Sequence, residues 1–421
     1  MTIVFVSILF VVLFFILSVP RINSEILMYL LLAVPVINAF ASVTTNYFPP
    51  GYYTPGAIRV ALLMLVIVLL GGYIKKDWTT LFIFLFLFYV ALLIPFSSNE
   101  VQTFNSTIKV TVSLLMFPLG FYLISDLKKL KFLNYSILTA VTIIILQYVI
   151  AQVFQLGESA YTDAQGYELY SGGGFVSVTY VLVFFILLMP VCTPLLKKYK
   201  NRYLFYGIMI ISILLTFFIL RRTSIAALIG GYTLYLFLSS KSFKVLKYGM
   251  VTLCVLAVAF PIYGDYFTQR ANLREPLENI SQEGRIVETY AVFNEIGEAG
   301  IKHALIGSEP FNSAEYYKHR WFIGGGRPLH IDYNRILSGT GIIGLALYLL
   351  IFGSILYSGL KIRTGLNPYY REMKAVLLVL LAVTMVISIS GSITTVGFRA
   401  DVMLYMGALL GIMKSNERTL S

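Results

Sequence analysis

The stretch Trp78-Thr79-Thr80-Leu81-Phe82-Ile83-Phe84-Leu85-Phe86-Leu87-Phe88-Tyr89-Val90-Ala91-Leu92-Leu93-Ile94 carries no charge. A helix needs about 20 such residues to cross the hydrocarbon core of a bilayer. Comparable apolar runs recur along almost the whole chain. The 421 residues are 58% hydrophobic and only 12% charged, with a mean hydropathy of +0.81. A soluble domain carries about twice that charged fraction, and one soluble core cannot absorb so many apolar runs. Composition therefore excludes a soluble globular protein.

Candidate spans begin near Thr2, Glu25, Ala57, Trp78, Thr107, Phe132, Gly174, Tyr203, Thr223, Lys247, Ser338, Lys374 and Phe398, the last of them short. The predicted fold is all-α, a polytopic integral membrane helical bundle of about 13 (12–14) transmembrane helices. It includes one long extracytoplasmic loop containing short helices. The first run, Thr2 to about Val19, has neither a basic leader nor a small-residue cleavage site, so it reads as a retained helix. Cys192 and Cys254 both fall within apolar runs and form no CxxC pair, which makes them packing residues.

The connections alternate in charge. Lys75-Lys76, Lys128-Lys129-Lys131, Lys197-Lys198-Lys200-Arg202, Lys241-Lys244-Lys247 and Lys361-Arg363-Arg371-Lys374 mark one side, which the positive-inside rule makes cytoplasmic. The same rule accounts for the net charge of +12 without a nucleic-acid partner. The opposite side receives the uncharged Asn46–Gly56 stretch, the Gly157–Gly172 loop and the long segment from Asp265 to Arg335. Three regions follow: transmembrane helices over 1–264, the long loop over 265–336, and transmembrane helices over 337–421.

All three histidines, His303, His319 and His330, lie in the long segment, as do ten of the twenty acidic residues. Connections this long are usually functional or disordered. From Arg285 to Glu298, Ile286, Tyr290 and Phe293 fall at helical spacing, with Glu288, Glu295 and Glu298 mainly on other faces. This predicts an amphipathic helix resting on the membrane surface or on the bundle, with a small structural cap as the alternative reading.

Arg59, Lys109, Arg221-Arg222 and Arg399 stand near outer ends of spans, against the charge rule and close to positively polarised helix N-termini. Guanidinium groups and helix N-termini together suit phosphate. The expectation is an outward-facing anion site, for which a lipid-linked phosphate or pyrophosphate is the natural occupant. For any single cation the alternative is snorkelling to the interface and pairing with a loop carboxylate.

The long segment ends His330-Ile331-Asp332-Tyr333-Asn334-Arg335-Ile336-Leu337-Ser338-Gly339-Thr340-Gly341-Ile342-Ile343-Gly344. This resembles the H-x-D-Y-x-x-x-L-x-x-x-G-x-x-G pattern of the bacterial O-antigen polymerase and O-antigen ligase superfamily. Gly284-Arg285 opening a helix, and then Leu305-Ile306-Gly307-Ser308, resemble the same family's loop pattern. Ile331 and Glu309 stand where the family often has Asn and Gly. The glycines Gly339, Gly341 and Gly344 thin one side of a helix start for close backbone or ligand approach.

The resemblance implies a multi-pass protein of the bacterial cytoplasmic (inner) membrane that transfers glycan from an undecaprenyl pyrophosphate-linked oligosaccharide at the extracytoplasmic face. The product would be O-antigen of lipopolysaccharide, capsule or exopolysaccharide. In a polymerase the acceptor is another lipid-linked repeat; in a ligase it is a different acceptor. A lipid-glycan transporter is the reading from another class. Partners so implied are the lipid-linked glycan, membrane lipid and a chain-length regulator protein. No cofactor and no metal are expected, because arginines supply the electrostatic clamp. In this reading Arg221, Arg222 and Arg285 hold the pyrophosphate, with Arg59, Arg335 and Arg399 as further candidates. His330 activates or positions the acceptor hydroxyl, and Asp332 orients the imidazole or shares the base role.

Overall fold

The computed structural model describes residues 29, 31–44, 77–98, 100–155, 159–162, 168–170, 175–196, 202–218, 222–239, 250, 284–307, 310–311, 329–364, 367–391, 393–394 and 396–420. The predicted spans beginning near Thr2, Ala57 and Lys247 lie largely or wholly outside them. The described helices are α1 (Val34–Thr44), α2 (Trp78–Leu93), α3 (Glu100–Leu123), α4 (Leu127–Val153), α5 (Phe175–Leu196), α6 (Arg202–Phe218) and α7 (Arg222–Leu238). They continue with α8 (Gly284–Ala299), α9 (Ile301–Ile306), α10 (Asp332–Lys361), α11 (Pro368–Ile387) and α12 (Val396–Leu420). A short antiparallel hairpin, β1 (Ser159–Thr162) with β2 (Glu168–Tyr170), occupies the Gly157–Gly172 connection, which the sequence suggested only as a loop.

The fold is helical and membrane-spanning in character. Among the described residues, five helices are long and apolar enough to cross a bilayer: Trp78–Phe96, Glu100–Leu123, Leu127–Val153, Asp332–Lys361 and Val396–Glu417. Shorter apolar helices cover Thr179–Leu195, Phe205–Phe217 and Thr223–Leu238. The last helix, which looked short in sequence, has 25 residues.

That last helix is also the central one, because its whole apolar window is buried. It packs on α1, α3, α5 and α11. Against α3 the two backbones touch. A Cβ on Gly407 would overlap the Phe117 carbonyl, one on Gly411 the Phe121 carbonyl, and one on Gly120 the Leu404 carbonyl. Small residues spaced four apart allow this approach, and close packing replaces the hydrophobic drive that lipid cannot provide.

The basic connections that are described gather at one end of the bundle. Arg363 N–H donates to Glu417 (3.2 Å), Lys374 Nζ to the Leu360 and Ile362 carbonyls (2.8 and 2.9 Å), and Lys129 Nζ to the Leu123 carbonyl (3.1 Å). Lys414 Nζ lies over the Phe121 ring at this same end. Asp77 caps α2 here, accepting from the Thr79 and Thr80 N–H groups.

At the far end α10 is broken. Gly341 has φ +65° and ψ −171° inside the helix, and a side chain there would overlap the Leu305 carbonyl. L-residues rarely adopt this φ, so only glycine allows both the turn and the contact. Tyr89 Oη on α2 donates to the Thr340 carbonyl at the break (3.0 Å). The first nine residues of α10 are thereby turned across the end of the bundle. The helix runs uninterrupted through 336–337, and its change of direction comes at Gly341.

Candidate functional site

The start of α10 poses a capping problem. The first N–H groups of a helix lack internal acceptors, and the N-cap residue, Ile331, has an aliphatic side chain that cannot supply one. The acceptor comes from α8. The Glu288 carboxylate receives the His330 N–H (3.0 Å to each oxygen) and the Ile331 N–H (2.8 Å), and it also receives Asn334 Nδ2 (3.3 Å). Asn334 Nδ2 also donates to Thr289 Oγ1 at 3.0 Å. Glu288 is 3% exposed, so its charge is held by donors rather than by water.

The other side of His330 is fixed as well. Gly391, at φ +80°, lies so close that a Cβ would overlap the His330 carbonyl. Asp332 N–H donates to the Ser388 carbonyl (2.9 Å), and the Asp332 carboxylate accepts from the Ile393 N–H (2.9 Å). His330 is thus gripped between α8 and the turn joining α11 to α12.

The Asp332 carboxylate serves that turn. It forms a buried ion pair with Arg399, whose guanidinium also donates to Ser388 Oγ (2.7 Å) and Tyr348 Oη (3.5 Å). Asp332 and Tyr348 are sixteen positions apart, about 24 Å along a straight helix, yet both reach one guanidinium. The break at Gly341 makes that possible. Such a pair is costly to desolvate and holds only when its remaining donors and acceptors are also satisfied, as they are here.

Arg335 sits nearby under different terms. It donates to the Leu329 carbonyl (3.0 Å) and Thr394 Oγ1 (3.2 Å), while its buried Nε has no acceptor. Among the described residues no carboxylate lies within 4.0 Å of it.

Helix α8 forms over the predicted residues with Gly284-Arg285 at its start, and of the two expected resting places its apolar face does not take the bundle. Glu288, Val292 and Glu295 face the bundle and are buried, while Tyr290 and Phe293 are 64% and 59% exposed. The reason is local: the bundle at this level offers the orphan N–H groups of His330 and Ile331, which an apolar face could not satisfy. Beside this contact an open groove of about 520 Å³ is lined by Arg285, Ile286, Thr289, Tyr290, Phe293, Ile331 and Ile389. Five of these seven side chains are apolar or aromatic, and Arg285 supplies the single charge. The groove suits an amphiphile with an anionic head. His330 adjoins the lining residue Ile331.

The structure therefore brings Arg285, His330, Asp332, Arg335 and Arg399 to one end of the bundle. Of these, Asp332 and Arg399 engage each other and leave Arg285 as the candidate guanidinium on the groove. Arg222 begins α7, and its side chain, like all of Arg59 and Arg221, lies outside the described residues. Lys109 is exposed on α3. His303 Nε2 lies 3.8 Å from buried Glu295, and His319 is outside the described residues. Among the described residues no cluster of three or more His, Cys, Asp or Glu is placed to hold a metal.

Sequence reading missed Glu288, Asn334, Ser388 and Gly391. One signal was available for Glu288: a helix beginning after Ile331 needs an outside cap. Comparison with protein-family models and with curated proteins yields no match.

Proposed function

We propose that the chain is a membrane glycosyltransferase that polymerises undecaprenyl pyrophosphate-linked oligosaccharide repeats at the extracytoplasmic face. This reading takes the bundle to have about 13 spans, with the far end of α10 outside. One observation carries it. Glu288 ties the helix bearing Arg285 to the backbone of His330, so Arg285, which lines the apolar groove, and His330, next to the lining residue Ile331, are held near each other.

The division of labour follows from the side chains. The prenyl chain lies against Tyr290, Phe293, Ile331 and Ile389. Arg285, at the N-terminal turn of α8, binds the pyrophosphate and stabilises the charge that develops as the glycosidic bond to phosphate breaks. His330 accepts the proton of the attacking sugar hydroxyl. Arg335, with no carboxylate within 4.0 Å among the described residues, adds positive potential nearby. Asp332 and Arg399 act as positioning residues that hold the wall behind His330. The resemblance that suggested this chemistry rests on the histidine motif, and in this chain Leu305–Gly307 packs on Gly339–Gly341 of that motif.

The test uses the purified full-length protein in lipid nanodiscs with undecaprenyl pyrophosphate-linked oligosaccharide. The expected product is a ladder of repeats. Arg285→Ala and His330→Ala should each lower kcat by about 10²–10³. Full activity in both removes the site. A single transfer in place of a ladder assigns the ligase-type reaction.

A further inference from the structure

The inverted polarity of α8 points to its surroundings. In water an amphipathic helix buries Tyr290 and Phe293 and leaves its carboxylates solvated. Here Glu288 and Glu295 turn into the protein, while Val287, Tyr290 and Phe293 on α8, with Ile301 and Leu305 on α9, turn outward. Hydrocarbon favours that arrangement, because ionisable groups at membrane depth turn toward protein partners.

The level of the helix pair gives a second, independent indication. Val292 belongs to a small buried cluster with Leu329 and Leu337, flanked by Ala291, Ile296 and Leu345. Leu345 stands one turn beyond the break at Gly341, in the half of α10 that runs through the bundle. The α9–Gly307 turn is wedged against Gly339–Gly341 itself. Helix α8 thus reaches the first turn of a membrane-spanning segment.

The third observation is continuity. Directly after the break, Ile342 and Ile343 on α10 are 52% and 40% exposed. Met385 and Val386 on α11, and Ile389 in the turn that follows it, are exposed too. The outward apolar side chains of α8 and α9 join these lipid-facing surfaces. Exposed polar residues of the helix pair, Asn294, Glu298 and Lys302, follow the apolar stretch of α8 and suit a headgroup layer.

We infer that α8 and α9 form a membrane-seated element whose exposed apolar face is covered by lipid hydrocarbon of the adjacent leaflet. The groove between α8 and Ile389 then opens sideways into that leaflet rather than up into water. This holds whatever reaction the chain performs.

Nitroxide labels at Phe293→Cys and Ile301→Cys test it in the full chain, with Cys192→Ala and Cys254→Ala as background. The protein is reconstituted in vesicles of phosphatidylethanolamine and phosphatidylglycerol. Ile342→Cys serves as the lipid-facing reference and Glu298→Cys as the polar one. The collision ratio of oxygen to a water-soluble nickel chelate should be severalfold higher at Phe293 and Ile301 than at Glu298, and should match Ile342. A ratio equal to that at Glu298 puts the face in water and overturns the inference. Low collision with both reagents, the mark of a protein cover such as a second copy, overturns it equally. If a variant fails to reconstitute, Tyr290→Cys or Leu305→Cys reads the same face.

Discussion

Two of the seams in this molecule solve opposite problems. Where α3 meets α12, Gly120, Gly407 and Gly411 bring backbones into contact with no charge to satisfy. Where α8 meets the start of α10, the contact is a carboxylate closing on orphan N–H groups, with a buried ion pair behind it. The first seam gains stability through shape alone. The second binds polar groups that neither lipid nor water would fix in place, so it holds the backbone around His330 in a set arrangement.

That contrast is open to attack, beginning at the glycine seam. Gly407→Leu should abolish recovery of folded, monodisperse protein from membranes, because the added side chain has only the Phe117 carbonyl to occupy. A folded Gly407→Leu protein would mean that the seam is not close-packed. At the polar seam, Asp332→Ala strands Arg399 as an unpaired buried charge. It should cost about 3–5 kcal/mol, read as a fall in the unfolding midpoint. Adding Arg399→Met should recover part of that loss, since the double variant has no charge to strand. The smallest effect is expected at Glu288. Glu288→Ala leaves the His330 and Ile331 N–H groups without their acceptor but also removes a buried carboxylate, for a net cost of about 1–3 kcal/mol. Glu288→Gln keeps an acceptor oxygen and should lose less. If Glu288→Ala and Glu288→Gln unfold together with wild type, Glu288 is not the cap.

Part of this was legible in sequence because it depends on local rules. The apolar run from Trp78, the helix opening at Gly284-Arg285 and the hydrophobic stretches of α4, α5 and α6 follow from residue type and spacing. The glycines of the histidine motif were also readable as a place of close approach. What approaches them was not: Leu305–Gly307 lies more than thirty residues upstream. The same limit applied to Asp332, which stands two residues from His330 in sequence but spends its carboxylate on Arg399 and Ile393. Arg399 offered the converse lesson. Its position near a span end suggested a bound anion, and the structure provides that anion from α10.

By itself, then, the sequence determined that the chain is built of helices apolar enough to span a bilayer, because hydropathy and helical period act over a few neighbouring residues. Tertiary structure alone decided which face of α8 turns inward, which acid meets which arginine, and that the last helix stands at the centre. Those outcomes depend on unsatisfied N–H groups and buried charges finding partners far along the chain, and no local pattern records where such partners are.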